Sequence, residues 1–269
     1  ADECPYFLPL FPPRYRSHPG GWSYRVSYRP PMVHPLHATR NRNMANPAPG
    51  FKTVRLNVPV DDEDLAGLAI GTIVYLDGVI YTGREGVYQR VLAENCPLPP
   101  GLVQASNVNF HCSPAASVSE DGQYNVGGVT ATASFRFAKW MPDWFRVSGA
   151  RIIIGKGGMS AAHYRDLFLP AGAIYLTTVG YGTGALLGRG IRRVREVHWL
   201  AELGNAQAMW VFEVENFGPF IVDSDLQGNS LFEQQAKLVN ANLEGLYRGL
   251  RPPALSRYGE TDDRKDELI

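Results

Sequence analysis

The sequence is short of cysteine, of long apolar runs and of net charge. Its three cysteines, Cys4, Cys96 and Cys112, are odd in number and widely separated, which argues against a disulfide framework and against a metal site of clustered thiols. No run approaches the roughly 18 apolar residues of a membrane helix, and no segment resembles a secretion signal. We therefore expect a cytoplasmic protein with reduced thiols, no metal ligands of its own and no membrane contact.

The charge balance and the apolar content indicate a globular protein that does not bind nucleic acid. Lysine plus arginine equals aspartate plus glutamate at 26 each, so no global field favours a polyanion. Any preference for anions must then come from cations that lie close together. Hydrophobic residues make up 45% of the 269 positions, which is ample for a buried core.

Composition divides the chain into three parts. Residues 1–43 contain eight prolines, six arginines and no lysine, without helical or strand periodicity, and are predicted to be an irregular extension. Residues 44–250 carry the regular patterns and are predicted to form one domain. Residues 251–269 read as a charged tail.

Apolar periodicity predicts a mixed α/β domain, because strand patterns come before, between and after helical ones. The predicted strands are 53–58, 72–76, 79–82, 108–111, 124–126, 151–154, 173–176, 209–214 and 220–223. The predicted helices are a short one starting near 61–64 and longer ones at 84–93, 160–168 and 231–246. Asp77-Gly78 joins two strand patterns and is the strongest short signal for a hairpin.

Three segments place cations among small residues beside predicted loops. Arg84 follows a buried strand near a helix start, a position suited to an anion, although a surface ion pair is the alternative. Residues 130–136 are hydroxyls and alanines that end in Arg136, with an edge strand as the alternative. Lys156 lies between glycines in a turn that does not match the phosphate-binding pattern. His111, His163 and His198 are scattered, which favours structural roles.

Several longer segments resemble the β region of class I fumarases and tartrate dehydratases. They are 194–204, 210–219 and 223–232 near the end of the domain, with 74–85 and 154–157 upstream. The likeness covers about 52 to 247. It implies a swivelling β/β/α domain with a mixed sheet and flanking helices.

The resemblance also implies a partner and a cofactor. In this family a separate α subunit or domain holds a four-iron four-sulfur (4Fe-4S) cluster on three cysteines, and nothing in this chain resembles that part. The open cluster iron acts there as a Lewis acid on the substrate. This chain is thus expected to be the β component of an α2β2 hydro-lyase that is active only with its α partner.

The family's functional residues correspond to four positions of this chain. Arg84, Arg136 and Lys156 fall on the family's dicarboxylate-binding cations, and Lys156 is also expected to act in catalysis. Thr132 falls on the first threonine of the motif Gly-Pro-Thr-Thr-Ser-x-Arg-Met, the position implicated in moving the proton at carbon. A threonine hydroxyl is a poor base unless nearby cations favour its alkoxide.

The chain departs from this motif at several positions. Thr130-Ala131 replaces Gly-Pro, Ala133 replaces the second threonine, Phe137 replaces methionine, and Glu85 replaces the aspartate after Arg84. The leading hypothesis is reversible hydration and dehydration of a C4 dicarboxylate, fumarate with malate first and tartrate second. The competing hypothesis is a non-catalytic ligand-binding or assembly paralogue. The enzyme hypothesis requires the four site residues to line one open cleft.

Overall fold

A computed structural model describes residues 50–180, 182–246 and 248 of the chain. The strands are β1 (Thr53–Asn57), β2 (Ile73–Thr82), β3 (Val108–Phe110), β4 (Cys112–Val118), β5 (Tyr124–Ala131), β6 (Ile152–Gly155), β7 (Ile174–Thr178), β8 (Ile191–His198) and β9 (Met209–Ser224). The α-helices are α1 (Asp62–Ala66), α2 (Glu85–Tyr88), α3 (Leu102–Ala105), α4 (Met141–Ser148), α5 (Ala161–His163), α6 (Thr183–Gly190), α7 (Leu200–Leu203) and α8 (Leu231–Leu246). A 3-10 helix covers Ser134–Trp140, and π-helical turns cover Gln89–Ala93 and Tyr164–Phe168. The predicted extension 1–43 and tail 251–269 lie outside the described residues.

Seven strands form one mixed sheet, and β4 pairs with β5 in a separate two-stranded sheet. β1, β2, β3, β6 and β7 run parallel to one another, whereas β9 is antiparallel to β2, β7 and β8. The pairings also close a ring, because β9 bonds to both β7 and β2. The prediction of an α/β domain with a mixed sheet and flanking helices is confirmed.

The central strands are buried on both faces. Ile152 and Ile154 of β6 belong to one hydrophobic cluster, whereas Ile153 belongs to a second cluster formed with the helices. In β2, Ile80 lies in the first cluster and Tyr81 in the second. This double burial explains why the strands read as continuous apolar runs in the sequence.

The predicted hairpin at Asp77-Gly78 is wrong. β2 is one continuous strand through both residues, and its ladder with β9 is irregular on either side of Leu76. Gly78 has a φ of +121°, and a Cβ there would lie 2.6 Å from the carbonyl oxygen of Val58. The glycine therefore serves a bulge and a close backbone approach rather than a turn.

A similar correction applies near the end of the sheet. The segments 209–214 and 220–223 were predicted as two strands, but they are parts of the single 16-residue strand β9. Its first part pairs with β8, its middle part with β2 and its last part with β7, so one long strand has three neighbours. The predicted helices at 84–93, 160–168 and 231–246 are confirmed, the first two with a π-helical second half.

Among the described residues, no helix is both long enough and apolar enough to cross a membrane.

Candidate active site

Two candidate site residues, Arg84 and Lys156, follow the carboxyl ends of parallel strands of the seven-stranded sheet. The register pairs Thr82 of β2 with Phe110 of β3, Phe110 with Ile154 of β6, and Gly155 of β6 with Thr177 of β7. The strands thus end at a common edge, where Lys156 follows β6 directly and Arg84 follows β2 after Gly83. Such carboxyl edges are where parallel α/β structures commonly bind ligands.

Thr132 and Lys156 are held together by their backbones. The amide of Thr132 donates to the carbonyl of His111 at 2.6 Å, and the amide of Lys156 donates to the carbonyl of Thr132 at 3.2 Å. Ala133 and Lys156 form an isolated parallel bridge. Thr132 is buried, whereas the Lys156 side chain is exposed. The chain leaves β5 at Ala131 and enters the 3-10 helix at Ser134, so the edge-strand alternative for 130–136 is wrong beyond Ala131.

Arg84 lies at the N-cap of α2 and is fixed by hydrogen bonds. Its Nη1 donates to the hydroxyl of Ser113 and, at 2.7 Å, to the carbonyl of Ala206. Its Nε is buried without a hydrogen-bond partner among the described residues. The surface ion pair considered from the sequence is not formed with any described residue, because the neighbouring Glu85 pairs with Lys139 instead.

The two arginines are close enough to affect each other. Burial of the guanidinium and, next, the positive charge of Arg136 lower the pKa of Arg84 below its ordinary value. Arg136 is exposed, and its Cζ lies 5.4 Å from the ring centroid of Phe137. Two neighbouring cations repel each other, and a bound anion would relieve that repulsion.

A buried chain of hydrogen bonds lies beneath these residues. Tyr88 contacts Nε2 of His111 at 2.6 Å, and Nδ1 of His111 contacts Oγ of Ser134 at 2.6 Å. Ser134 continues to the hydroxyl of Tyr175 at 2.7 Å, and Asn109 donates to Tyr88 at 2.6 Å. The imidazole thus joins the turn after Arg84 to the segment that carries Thr132 and Arg136.

The glycine before Lys156 is required by this packing. A Cβ at Gly155 would lie 2.5 Å from the hydroxyl of Tyr175 and would also enter the space of Ser134. Beyond the lysine, a Cβ at Gly158 would lie 2.5 Å from Oδ2 of the buried Asp223. Asp223 in turn accepts a hydrogen bond from Tyr164, which accepts from the amide of Met159 at 2.8 Å. The lysine turn is therefore fixed on both sides by polar side chains.

Sequence reasoning missed the central position of His111. Its ring is fully buried, and this burial, followed by the charge of Arg84, lowers its pKa from 6.5 to about 3. A neutral imidazole can donate through one nitrogen and accept through the other, as a chain of hydroxyls requires. The available signal was its place at the end of the predicted strand 108–111, a position comparable to those of Arg84 and Lys156.

We expect the stability of the protein to depend on pH through His111. The folded chain has a pKa near 3 and the unfolded chain the ordinary 6.5, so the unfolded state binds more protons between these values. The contribution of His111 to the free energy of unfolding is fully present above pH 6.5 and is lost as the pH falls toward 3. The loss is at most about 1.4 kcal/mol per pH unit, and urea unfolding between roughly pH 7 and pH 5 measures it.

The variant His111→Gln isolates this contribution, since glutamine can still reach Tyr88 but does not titrate. Its free energy of unfolding should fall less steeply with decreasing pH than that of the wild type. Equal slopes in wild type and His111→Gln would contradict a neutral buried imidazole.

The described residues do not provide a metal centre. No group of three or more histidine, cysteine, aspartate or glutamate side chains within 50–180, 182–246 and 248 is placed to hold a metal ion. Cys112 is buried, and burial raises the pKa of its thiol well above the ordinary value, which disfavours the thiolate that a metal needs. The described residues of this chain therefore do not fit an iron–sulfur cluster.

Comparison with known proteins gives the family. The family model described as Fumarase C-terminus matches residues 28–235. The chain belongs to this family. Another member, named "Putative L(+)-tartrate dehydratase subunit beta", from Methanocaldococcus jannaschii, is 35% identical over 187 residues, covering 68% of this chain and 93% of that protein.

Two further relatives are named as a tartrate dehydratase subunit and as a fumarate hydratase. The L(+)-tartrate dehydratase subunit beta of Escherichia coli K12 is 29% identical over 191 residues, covering 68% of this chain and 88% of the relative. "Putative fumarate hydratase class I" of Geobacillus stearothermophilus is 28% identical over 201 residues, covering 75% of this chain and 38% of the relative. These names support membership in a family of hydro-lyases.

Proposed function

We propose that this chain is the β component of an iron–sulfur-dependent hydro-lyase that acts on a C4 dicarboxylate. Fumarate with malate is the first candidate pair, and L-tartrate is the second. The observation that supports the proposal is that Arg84 and Lys156 follow parallel strands that end at one edge of the sheet, where the backbone of Thr132 bonds to that of Lys156. The names of the relatives support the same reaction class. The β/β/α domain would be of the swivelling type.

In this proposal the cations bind and orient the substrate. Arg84 and Arg136 repel each other when the site is free, so a carboxylate between them gains two charge-assisted contacts and removes that repulsion. Lys156 supplies a mobile cation for the second carboxylate. A substrate held at both ends presents its carbon to a fixed hydroxyl, which lowers the entropic part of the barrier.

Thr132 would hold or accept the proton at the substrate carbon. Its backbone is bonded on both sides, to His111 and to Lys156, so the main chain that carries the hydroxyl is held in place. The alkoxide form of threonine needs positive charge nearby, and the sequence neighbours Arg136 and the paired Lys156 turn are the candidates for it. The partner α subunit would carry the 4Fe-4S cluster, and the assembly would be α2β2.

The test is reconstitution with an α subunit of the tartrate dehydratase type. The chain alone should be colourless, bind no iron and be inactive, whereas the anaerobically reconstituted mixture should turn over fumarate, malate or L-tartrate. Iron stoichiometry and absorbance report the cluster, and product formation reports the reaction. A cluster on the isolated chain would overturn the division of labour. Absence of turnover in a cluster-loaded mixture would favour the non-catalytic paralogue.

A further inference from the structure

The buried hydrogen bonds around His111 have a definite direction. Asn109 donates its side-chain amide to the hydroxyl oxygen of Tyr88 at 2.6 Å, so Tyr88 has its own proton left to donate. Nε2 of His111 lies 2.6 Å from that hydroxyl, whereas the carbonyl oxygen of Gly83 is 3.5 Å away. Tyr88 therefore donates to Nε2, and the neutral imidazole carries its proton on Nδ1.

The same direction continues beyond the imidazole. Nδ1–H of His111 donates to Oγ of Ser134 at 2.6 Å, which leaves the serine proton for the hydroxyl of Tyr175 at 2.7 Å. An unpaired polar group in a buried place costs free energy, so each of these bonds supports the next. We call these residues the His111 network, and all of its members are fully buried: Tyr88, Asn109, His111, Ser134 and Tyr175.

One end of the network lies against the Arg84 turn. A Cβ on Gly83, the residue before Arg84, would lie 2.6 Å from Oδ1 of Asn109, so the amide packs directly on this part of the backbone. On the other side of the turn, the backbone amide of Tyr88 donates to the carbonyl of Arg84 at 3.0 Å. The first two members of the network therefore hold the main chain of Arg84 from both sides.

The middle of the network holds the segment that follows β5. The carbonyl of His111 accepts from the amide of Thr132 at 2.6 Å, and its ring bonds to Ser134 two residues later. The amide of His111 donates to the carbonyl of Ile154 at 2.8 Å, which fixes the histidine to β6. Because the 3-10 helix that carries Arg136 begins at Ser134, the imidazole sets where this helix starts.

The far end of the network reaches the lysine turn. A Cβ on Gly155, the residue before Lys156, would lie 2.5 Å from the hydroxyl of Tyr175. The ring of Tyr175 also packs on Tyr164, with 5.8 Å between the ring centroids, and the Tyr164 hydroxyl accepts from the amide of Met159 at 2.8 Å. Tyr175 thus contacts the turn directly before the lysine and, through Tyr164, after it.

From these contacts we infer that His111, with its proton on Nδ1, is a positioning residue that keeps three site segments in one arrangement. The segments are those of Arg84, Arg136 and Lys156. The inference rests on the proposed function, because it assumes that these cations bind one substrate. His111 itself is fully buried, so it acts through the segments rather than on the substrate.

Positioning matters for a substrate that is held at both ends. Two carboxylates at a fixed separation require cations at a matching separation, and a displacement of about 1 Å can cost roughly 100-fold in rate. Three separate loops do not fix such a distance by themselves. A single network that contacts all three supplies the constraint.

Nitrogen-15 NMR of the full chain tests the direction of the network without any turnover. The imidazole signals that disappear in His111→Gln identify this residue among the six histidines. At neutral pH the wild type should carry the proton on Nδ1 of His111, with Nε2 unprotonated. A proton on Nε2, or on both nitrogens, would overturn the inference.

A double-mutant cycle in the reconstituted complex tests the positioning role. Tyr88→Phe removes one hydroxyl of the network and should lower kcat/KM by roughly tenfold or more. If the hydroxyl acts through Arg84, the same change in an Arg84→Ala background should lower kcat/KM by less than about twofold. Tyr175→Phe should behave in the same way in the wild type and in a Lys156→Ala background.

Tyr81→Phe is the matched control for both tyrosine variants. Tyr81 is another fully buried tyrosine of the same hydrophobic cluster, and its hydroxyl forms no hydrogen bond with a described member of the His111 network. Its kcat/KM should stay within about twofold of the wild type, whatever the change in melting temperature. This control separates the loss of a buried hydroxyl from the loss of positioning.

The outcomes separate this inference from the proposed function. Equal effects of Tyr88→Phe in the wild-type and Arg84→Ala backgrounds, or wild-type kcat/KM in both tyrosine variants, would assign the network to the fold alone and overturn the inference. The proposed function would survive either result. Absence of turnover in the wild-type complex would instead overturn the proposed function, and the positioning role with it, whichever nitrogen of His111 carries the proton.

Discussion

Thr132→Val should lower kcat of the reconstituted complex by roughly 10²–10⁴-fold while KM changes little. The substitution removes the hydroxyl at nearly constant volume and leaves both backbone hydrogen bonds of the residue in place. A group that transfers a proton contributes mainly in the transition state, so its loss appears in turnover rather than in substrate binding. Steady-state kinetics with fumarate and L-tartrate measure both constants.

Thr132→Ser is the control for this result, because it retains a hydroxyl on the same backbone and should keep most of the turnover. The melting temperature of the valine variant should stay near that of the wild type, since only one side-chain oxygen is lost. Wild-type turnover in a folded Thr132→Val complex would remove Thr132 from the mechanism.

Arg136→Ala and Lys156→Ala should each lower kcat/KM by about 100-fold or more with little loss of stability. Both side chains are exposed, and neither forms a salt bridge with a residue in the described part of the chain. Their truncation therefore removes little packing, whereas it removes a charge-assisted contact to a substrate carboxylate, which is typically worth a few kcal/mol.

Arg146→Ala and Lys237→Ala are matched controls on exposed helical positions. Within the described part of the chain, each cation pairs with a nearby acid of the same helix. They should leave kcat/KM within about twofold, since such exposed pairs contribute little. Thermal unfolding and kinetics are measured on all four variants. Large losses of melting temperature with normal turnover in Arg136→Ala and Lys156→Ala would assign both residues to the fold.

The sequence predicted most of the strands and the helical segments 84–93, 160–168 and 231–246, because their periodicity reflects local burial, but it did not predict α4 or α6. Continuous apolar runs such as 151–154 correspond to strands covered on both faces, and the acid-rich start at 61–64 corresponds to a capping box at Asp61. Asp77-Gly78 misled because the same dipeptide that suits a tight turn also suits a bulge. The close approach of Val58 to Gly78 belongs to the bulge, and the alternation of residues along the sequence does not reveal this contact.

The sequence also predicted part of the candidate site. Arg84, Arg136 and Lys156 were found through their loops, small neighbours and family resemblance, and their roles remain predictions. His111 was not, because its importance comes from contacts with Tyr88 and Ser134, each 23 residues away in the chain. A cavity of about 680 Å³ beside Lys156 was also beyond sequence reasoning, since one wall comes from the segment 130–133 and another from α6, which has no spacing relation to that segment.

The way in which residues 130–133 are held has an evolutionary consequence. Thr132 is fixed by main-chain bonds to His111 and Lys156, and these bonds do not depend on the side chains at Thr130, Ala131 or Ala133. Those flanking positions can therefore mutate without displacing the residue between them. Substitutions at these flanking positions could therefore change which substrate binds during evolution, while the backbone of Thr132 stays in position.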